Sequence, residues 1–443
     1  MKTGEMPDHL VNLALKEGAT DVAVKLVDKD EVVIRFANNE VTVSKAFREV
    51  LFDIFLLIGK HRAPTAVPLS SKENLETEVR NLVKTAKITP PAEVYAPLPQ
   101  GPFEYDPRLT KGSRISLEPD RLTGYVEEAI NGALDAGAKK VAGTLVATRA
   151  TVSLSTSGQA HVTEKKAGLE MSVRAFASDI ASGHWVSISR GEKGLEPGEA
   201  GRKAGEIAKA SSHPRRGEPG KFTALLGPMV FADLVNQVGM ASSAFLVDIG
   251  QSFLAEKMDS EVASSEFRLI DDPTVADSFG AKAFDDEGVP TKRNTIVDRG
   301  VLKTYLHNST TAKKFRKETT GNAGLFSPRP WNLMVGSGEK SFEELLAEVD
   351  KGIYVTNNWY LRYQNHRTGD FSTIPRDGMF LIRRGEISSC IRELRISDNM
   401  LRVMRNITEL DRSHSWIKWW EVVVPTLAPC AVVEDVSFTK SSM

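Results

Sequence analysis

Cysteine is almost absent: 443 residues hold two, Cys390 and Cys430. No disulfide framework can be built from them, and a reducing compartment, the cytoplasm, is the expected home. Long apolar runs are missing too. The longest, LFDIFLLIG at 51–59, is far short of a membrane span and carries Asp53. The opening MKTGEMPDHL lacks the basic-then-apolar layout of a signal peptide. An excess of one charge is also lacking. Lys+Arg 57 against Asp+Glu 58 leaves a net charge of −1, which argues against binding nucleic acid through a basic field. What is present is ordinary for a globular protein: 41 % hydrophobic and 26 % charged residues. The length suggests roughly two to four domains, large enough to hold a core without disulfides or metal.

Proline punctuates the chain. Six prolines (90, 91, 97, 99, 102 and 107) mark 89–107 as an extended connector. SSHPRRGEPGK at 211–221 is a second break. The expected units are 1–88, 108–212 and 221–443. The first two read as copies. Asn12, Ala14, Leu15, Gly18, Ala19, Val22 and Ala23 recur as Asn131, Ala133, Leu134, Gly137, Ala138, Val141 and Ala142, a constant offset of 119. Each copy is an amphipathic helix closed by glycine and followed by β-rich sequence. In copy one the expected strands are DVAVKLV, EVVIRFA and EVTVSKA, with Asn38-Asn39 as a turn. In copy two they are ATVSLST and LEMSVRAFA, turning at Ser157-Gly158. Ser70 and Glu73 have capping-box spacing for a helix that buries Leu75, Val79, Leu82 and Val83. The last unit opens with a strand, KFTALLG, and an apolar-periodic stretch at 230–257. Hairpin-like NTIVDRGVLKTYL and GMFLIRRGEISS follow. The fold class is therefore α+β: a duplicated helix-on-antiparallel-sheet half, then a β-rich C-terminal domain.

Motifs of known chemistry are scarce. The closest two of the eight histidines, His161 and His184, are 23 residues apart, so no HExxH pair exists, and there is no CxxC. A zinc site could come only from distant residues such as His307, His366 and Cys430. There is no GxSxG elbow, and Gly336-Ser337-Gly338 lacks a P-loop lysine. NSTTAKK at 308–314 reads as a capped helix start. Asp271-Asp272 and Asp285-Asp286-Glu287 could hold a cation or work as acid and base, but acidic turns explain them as well. In HSWIKWWEVVVP, Trp416, Trp419 and Trp420 would share one face if helical, as core or as an interface centre.

The phrases FDDEGVPTKRNTIVDRGVLKTYLHNSTTAKKF, TTGNAG, SPRPWNLMVGSGEKSFEELLAEVDKGIYVT and HRTGDFS, in that order, resemble the TldD/TldE (PmbA) family, historically called modulators of DNA gyrase. The resemblance implies a peptidase system of two related subunits that cleaves unfolded peptides in an enclosed chamber. In TldD-type chains a helix after the KFTALLGP-like strand carries HExxxH, and a late cysteine completes the zinc site. Here that stretch reads LVNQVGMASSAF. Asn236-Gln237 stand where His-Glu would, Met240 or Ala241 takes the second histidine's place, and Cys430 lies in a different phrase. Amides, a thioether and a methyl are poor zinc ligands, and no histidine lies between His213 and His307. The pattern is similar to TldE, the subunit without a zinc motif. It implies no catalytic residue and no metal in this chain, with Zn in a TldD-like partner, a heterodimer, or a homodimer when alone. The balanced charge and the short apolar runs make no membrane and no nucleic acid the expectation. Asp285, Asp286, Thr291, Tyr305, Asn308, Arg329 and Asn332 are the expected cavity or interface positions. A self-sufficient hydrolase and a non-catalytic peptide-binding homodimer are the alternatives.

Overall fold

The computed structural model describes residues 3–441. Two helix–β–β–β–helix units make up the N-terminal half. The first has helix Met6–Lys16, strands Asp21–Ala37, Glu40–Ile58 and His61–Pro68, and helix Lys72–Ile88. The second has helix Pro119–Asp135, strands Lys140–Thr156, His161–Ser178 and Ala181–Ser189, and helix Pro197–Ala210. Their first strands pair antiparallel, from Ala23 opposite Thr156 to Phe36 opposite Gly143, so both units share one six-stranded sheet. The 119-residue offset survives in three dimensions. Gly18 and Gly137 have φ of 102° and 106°, and each is followed by an alanine whose N–H reaches back to the helix: Ala19 to Ala14 at 2.9 Å, Ala138 to Ala133 at 3.0 Å. A side chain at Gly18 would touch nothing within 4 Å, so its cost is backbone strain alone. Gly18→Ala should destabilise the protein by about 1–2 kcal/mol in urea titration.

Two expected strands turn out to be one. DVAVKLV and EVVIRFA join in the 17-residue strand Asp21–Ala37. The intervening Asp-Lys-Asp does not turn because its charges are met across the sheet: Asp28 by Arg48 at 2.7 Å, Lys29 by Glu49 at 3.2 Å, Asp30 by Arg149 at 3.8 Å. Asn38 and Asn39 take positive φ, as the expected turn requires. The cap of helix Lys72–Ile88 is displaced by one residue. Ser71 accepts the Asn74 N–H at 3.1 Å, while Ser70 accepts from the Asn74 side chain.

All four long helices lie on one face of this sheet. Leu10, Val22, Val24, Ile54 and Val79 form one core, and Ile34, Phe36, Val126, Leu145 and Val173 another. The opposite face meets the C-terminal half, where Val152 and Leu154 pack on Ala281, Ala283 and Phe284.

The C-terminal half has two sheets. The larger runs from edge strand Trp359–Asn365 through Asp370–Ile374, Leu394–Asn399, Ala431–Lys440, Gly220–Leu226, Lys351–Val355, Met379–Arg383 and Glu386–Arg392 to Arg215–Arg216. The smaller is centred on Leu269–Asp271 and Leu333–Val335 and ends at Ser415–Ile417. Both expected hairpins form: Val297 pairs with Leu302, and Arg383 with Glu386, each through an Arg-Gly turn at positive φ. Helix Pro228–Ala241, opened by proline at its first turn, touches strands of both sheets and is buried almost all round. Trp416, Trp419 and Trp420 do not stand on a helix. Trp416 lies in strand Ser415–Ile417, whose backbone pairs with Thr426–Ala428. Among the described residues, no helix is long and apolar enough to cross a membrane.

Candidate functional site

Helix Pro228–Ala241 carries Asp233, Asn236 and Gln237 in an otherwise apolar sequence. Asn236 is buried, and its side chain is fully used. Its Nδ2 donates to the Val424 carbonyl at 2.8 Å and to Thr426 Oγ1 at 2.7 Å, and its Oδ1 accepts the Val424 N–H at 3.1 Å. Gln237 reaches Asp233 Oδ1 weakly, at 3.4 Å; Met240 is partly exposed and Ala241 is buried. An amide bonded in this way cannot turn a lone pair to a cation, and none of its neighbours supplies imidazole or thiolate, so the site does not fit zinc. Cys430 packs elsewhere, with Leu225, Leu345 and Ile382. Among the described residues no three His, Cys, Asp or Glu side chains gather as a metal cluster. His307 packs on Phe315, and the His366 ring lies 4.6 Å from that of Tyr363, tilted by 40°.

Asp233 is the unexpected member. It is wholly buried and accepts from Asn358 Nδ2 at 2.6 Å, while Asn358 also donates to Thr373 at 2.9 Å. Burial, with the Glu421 charge adding, pushes its pKa up to about 7. Two buried polar atoms close by, Tyr363 Oη and Asn358 Oδ1, have no hydrogen-bond partner among the described residues. Beyond them stands an aromatic wall: Trp359 is 4.9 Å from Trp419 and 5.8 Å from Trp420, and Trp419 is 4.7 Å from His184. His184 is buried and its pKa is pushed down to about 4 by that burial, so the ring is neutral. At the outer rim Trp420 is 60 % exposed, beside Tyr360, whose φ is 58° and whose N–H donates to Glu421 at 2.7 Å.

The acidic loop forms a second polar centre where the two halves meet. Asp285 closes the turn, accepting N–H groups from Glu287, Val289 and Ala323 at 2.9–3.0 Å. Asp286 pairs with Lys25 at 3.0 Å and Lys282 at 3.6 Å. Burial raises its pKa, but the two lysines more than reverse that, and it stays ionised. Burial takes the Lys282 ammonium down to about 8, and burial with the Asp286 charge takes Glu287 up to about 7. Glu287 holds Ser309 through its N–H at 2.9 Å and hydroxyl at 2.7 Å. A cavity of about 30 Å³, room for one or two waters, is lined by Asp286, Glu287, Tyr95, Arg62 and Asn308.

Of the seven expected cavity or interface positions, Asp286 and Asn308 line this water-sized cavity. Asn308 also caps helix Ser309–Phe315 in a capping box with Thr311. Asp285, Thr291, Tyr305 and Asn332 are buried and bonded within the fold. The Thr291 hydroxyl bonds the Lys282 carbonyl, and Tyr305 Oη donates to the Leu254 carbonyl at 2.7 Å. Asn332 donates to the Asp272 carbonyl at 2.8 Å, and Arg329 is exposed over the Trp331 ring at 4.9 Å. Sequence reasoning missed Asp233 and Lys25, and weighed Glu287 only as part of an acidic cluster or turn. Asp233 had a readable signal: an acid inside a nearly uncharged helix is rare unless it is partnered.

The PmbA/TldA metallopeptidase C-terminal domain family matches residues 219–440. The scaffold helix, the two sheets around it and this match define the class: the chain belongs to the PmbA/TldD metallopeptidase family. Among relatives, the metalloprotease MJ0996 of Methanocaldococcus jannaschii is 34 % identical over 216 residues, 46 % of each chain. A metalloprotease PmbA homolog of Buchnera aphidicola is 29 % identical over 198 residues, 43 % of this chain and 42 % of that one. The chain thus matches about half the length of these curated relatives. A putative modulator of DNA gyrase from Thermotoga maritima superposes with a TM-score of 0.84 at 25 % identity, covering 99 % of this chain and 100 % of the other. TldE from Thermococcus kodakarensis shares the fold, with a TM-score of 0.83 at 19 % identity, covering 98 % of this chain and 100 % of that one.

Proposed function

We propose that this chain is the zinc-free subunit of a two-subunit peptidase of its family, acting on unfolded peptides in the cytoplasm beside a zinc-bearing relative. The observation that carries this reading is the state of Asn236: on the helix where zinc relatives would place ligands, its amide is spent on Val424 and Thr426. Gln237 offers no general base, since a neutral amide does not take up a proton. The chain's own part is to wall the chamber and orient an extended peptide. The free edge of strand Trp359–Asn365, with exposed Tyr360 and Trp420 beside it, offers backbone groups and aromatic faces for that task. Water attack on the peptide carbonyl would take place on the partner's zinc.

Purified alone, the chain should carry no stoichiometric zinc by elemental analysis and should leave a casein-derived peptide intact. Adding a zinc-bearing family member should give chelator-sensitive cleavage. Chelator-sensitive cleavage by the isolated chain with one bound zinc overturns the reading.

A further inference from the structure

A recess on the C-terminal half gathers cations without acids. Its walls are the turn between strands Trp359–Asn365 and Asp370–Ile374, helix Met400–Arg405 and the segment 253–257. The three meet at Gly369, whose φ is 83°. Its carbonyl accepts the Met400 N–H at 2.9 Å, and a Cβ there would lie 3.1 Å from Phe253. The recess holds about 450 Å³, within the roughly 300–1,000 Å³ of small-molecule sites. Lys257, Arg367, Arg402 and Arg405 line it, and among the described residues no carboxylate does. Of these four, only Arg402 has an ion-pair partner there, Asp398. In a chain of net charge −1 that is a local excess. A second cationic recess, of about 510 Å³ on the N-terminal sheet, carries its own acids: Arg48 meets Asp28 at 2.7 Å and Arg149 meets Asp30 at 3.8 Å.

We propose that the recess binds a compact polyanion of two or more linked phosphate groups, free or as the phosphate chain of a nucleotide. The arginines are set in place beforehand. Arg402 donates to the Asp435 carbonyl at 2.7 Å and to Ser437 Oγ at 3.1 Å, and Arg405 donates to the Glu261 carbonyl at 2.9 Å. A carbonyl fixes a guanidinium without cancelling its charge, and the fork that remains matches phosphate oxygens. The neutral side chains are already used. Asn399 Nδ2 bonds the Thr368 carbonyl at 2.7 Å and Asp370 at 2.9 Å, the Thr368 hydroxyl bonds Asp370, and Asn406 Nδ2 bonds the Glu434 carbonyl at 3.1 Å. The recess therefore has charge to offer and few groups with which to read a base or a sugar. Its cations come from three separate segments and repel one another. A chain of phosphates meets several of them at once and removes that repulsion, which a single phosphate does less well. The recess shares no residue with the helix that carries Asn236, and binding to the isolated chain is independent of the peptidase reading.

Isothermal titration of the full chain with sodium tripolyphosphate should show saturable binding of one anion per chain, weakened by added salt. Orthophosphate should bind at least about tenfold more weakly. Lys257→Ala, Arg367→Ala and Arg405→Ala should each weaken tripolyphosphate binding about tenfold, the loss of one charge-assisted contact. Each should leave Tm close to that of the parent, since none of the three side chains forms an ion pair within the fold. Arg402 is kept, because it ties Asp398 to strand Ala431–Lys440. Lys165→Ala, in the other cationic recess, should change nothing. ATP binding as tightly as tripolyphosphate would assign the phosphate chain to a nucleotide, and tripolyphosphate binding alone would assign it to the free anion; both support the proposal. Absence of saturable binding, tighter binding of citrate or of a glutamate-rich peptide, or equal losses from Lys165→Ala and the three recess variants would each overturn it.

Discussion

Asp377→Ala should cost about 3–5 kcal/mol, read as a fall in urea midpoint and Tm. Asp377 is fully buried and gathers donors from both halves of the molecule. Arg174 gives Nε at 2.8 Å from strand His161–Ser178, and Ser182 gives its hydroxyl from strand Ala181–Ser189. From the C-terminal half come Trp359 Nε1 at 2.8 Å and Asn357 Nδ2 at 3.0 Å. Removing the carboxylate leaves a mostly buried guanidinium and three donors without an acceptor, so the loss exceeds what the pair itself contributes. Ser182→Ala, which removes one donor and leaves the charge pair intact, should cost about 1 kcal/mol. Burial acts to raise the Asp377 pKa, but Arg174 and the hydrogen bonds outweigh it and hold the pKa below the ordinary carboxylate value. A depressed carboxylate contributes stability above its unfolded pKa and loses it as pH falls through the folded one. The penalty of Asp377→Ala should therefore be full at pH 7 and shrink below about pH 4. A penalty that does not change across that range would mean that packing, and not the ion pair, joins the halves here.

How much of this could be read from the chain depends on the range of the interaction. Local chemistry was legible. Gly18 and Gly137 need positive φ within a single turn, Asn38-Asn39 and the two Arg-Gly turns close hairpins with their own backbones, and Asn308 caps its own helix. The internal copy was legible because both copies bury the same face of the same helix. What failed depended on partners distant in sequence. Asp28-Lys29-Asp30 separates two strands in the sequence, and they become one once Arg48, Glu49 and Arg149 meet its charges across the sheet. The spacing of Trp416, Trp419 and Trp420 fits a helix, but strand Thr426–Ala428 claims the backbone before them. At the site, the absence of histidine from the helix is visible in LVNQVGMA itself. That Asn236 is bonded to Val424 and Thr426 is not, because those partners lie nearly 190 residues away. Asp285 and Asp286 are adjacent and look alike in sequence. They part in the fold because three backbone N–H groups meet one and two lysines meet the other.

Asp233→Asn should flatten the pH dependence of stability and make the protein more stable above neutrality. In the folded chain this carboxyl titrates at about 7, against an ordinary 3.8, because burial disfavours its charged form. The folded state then holds a proton that the unfolded state releases between about pH 4 and 7. Stability from this group is complete below pH 4 and is lost as pH rises through 7. At about 1.36 kcal/mol per pH unit, the gap sets a ceiling of about 4 kcal/mol on what the buried anion costs at pH 8. Asparagine keeps one oxygen for the donors of Asn358 and Gln237, and its NH2 can turn to the unpaired Asn358 Oδ1, so the neutral side chain can be accommodated. The expected result is a variant about 1–3 kcal/mol more stable than the parent at pH 8 and equal to it near pH 4. His184 and His307, both neutral by burial, change stability with the opposite sign as pH falls below 6.5, but they do so in parent and variant alike and cancel in the difference. Urea unfolding at pH 4, 6 and 8 measures that difference directly. A gap between the two proteins that stays constant over those pH values would mean that Asp233 keeps its charge throughout, held by Arg362 despite its burial.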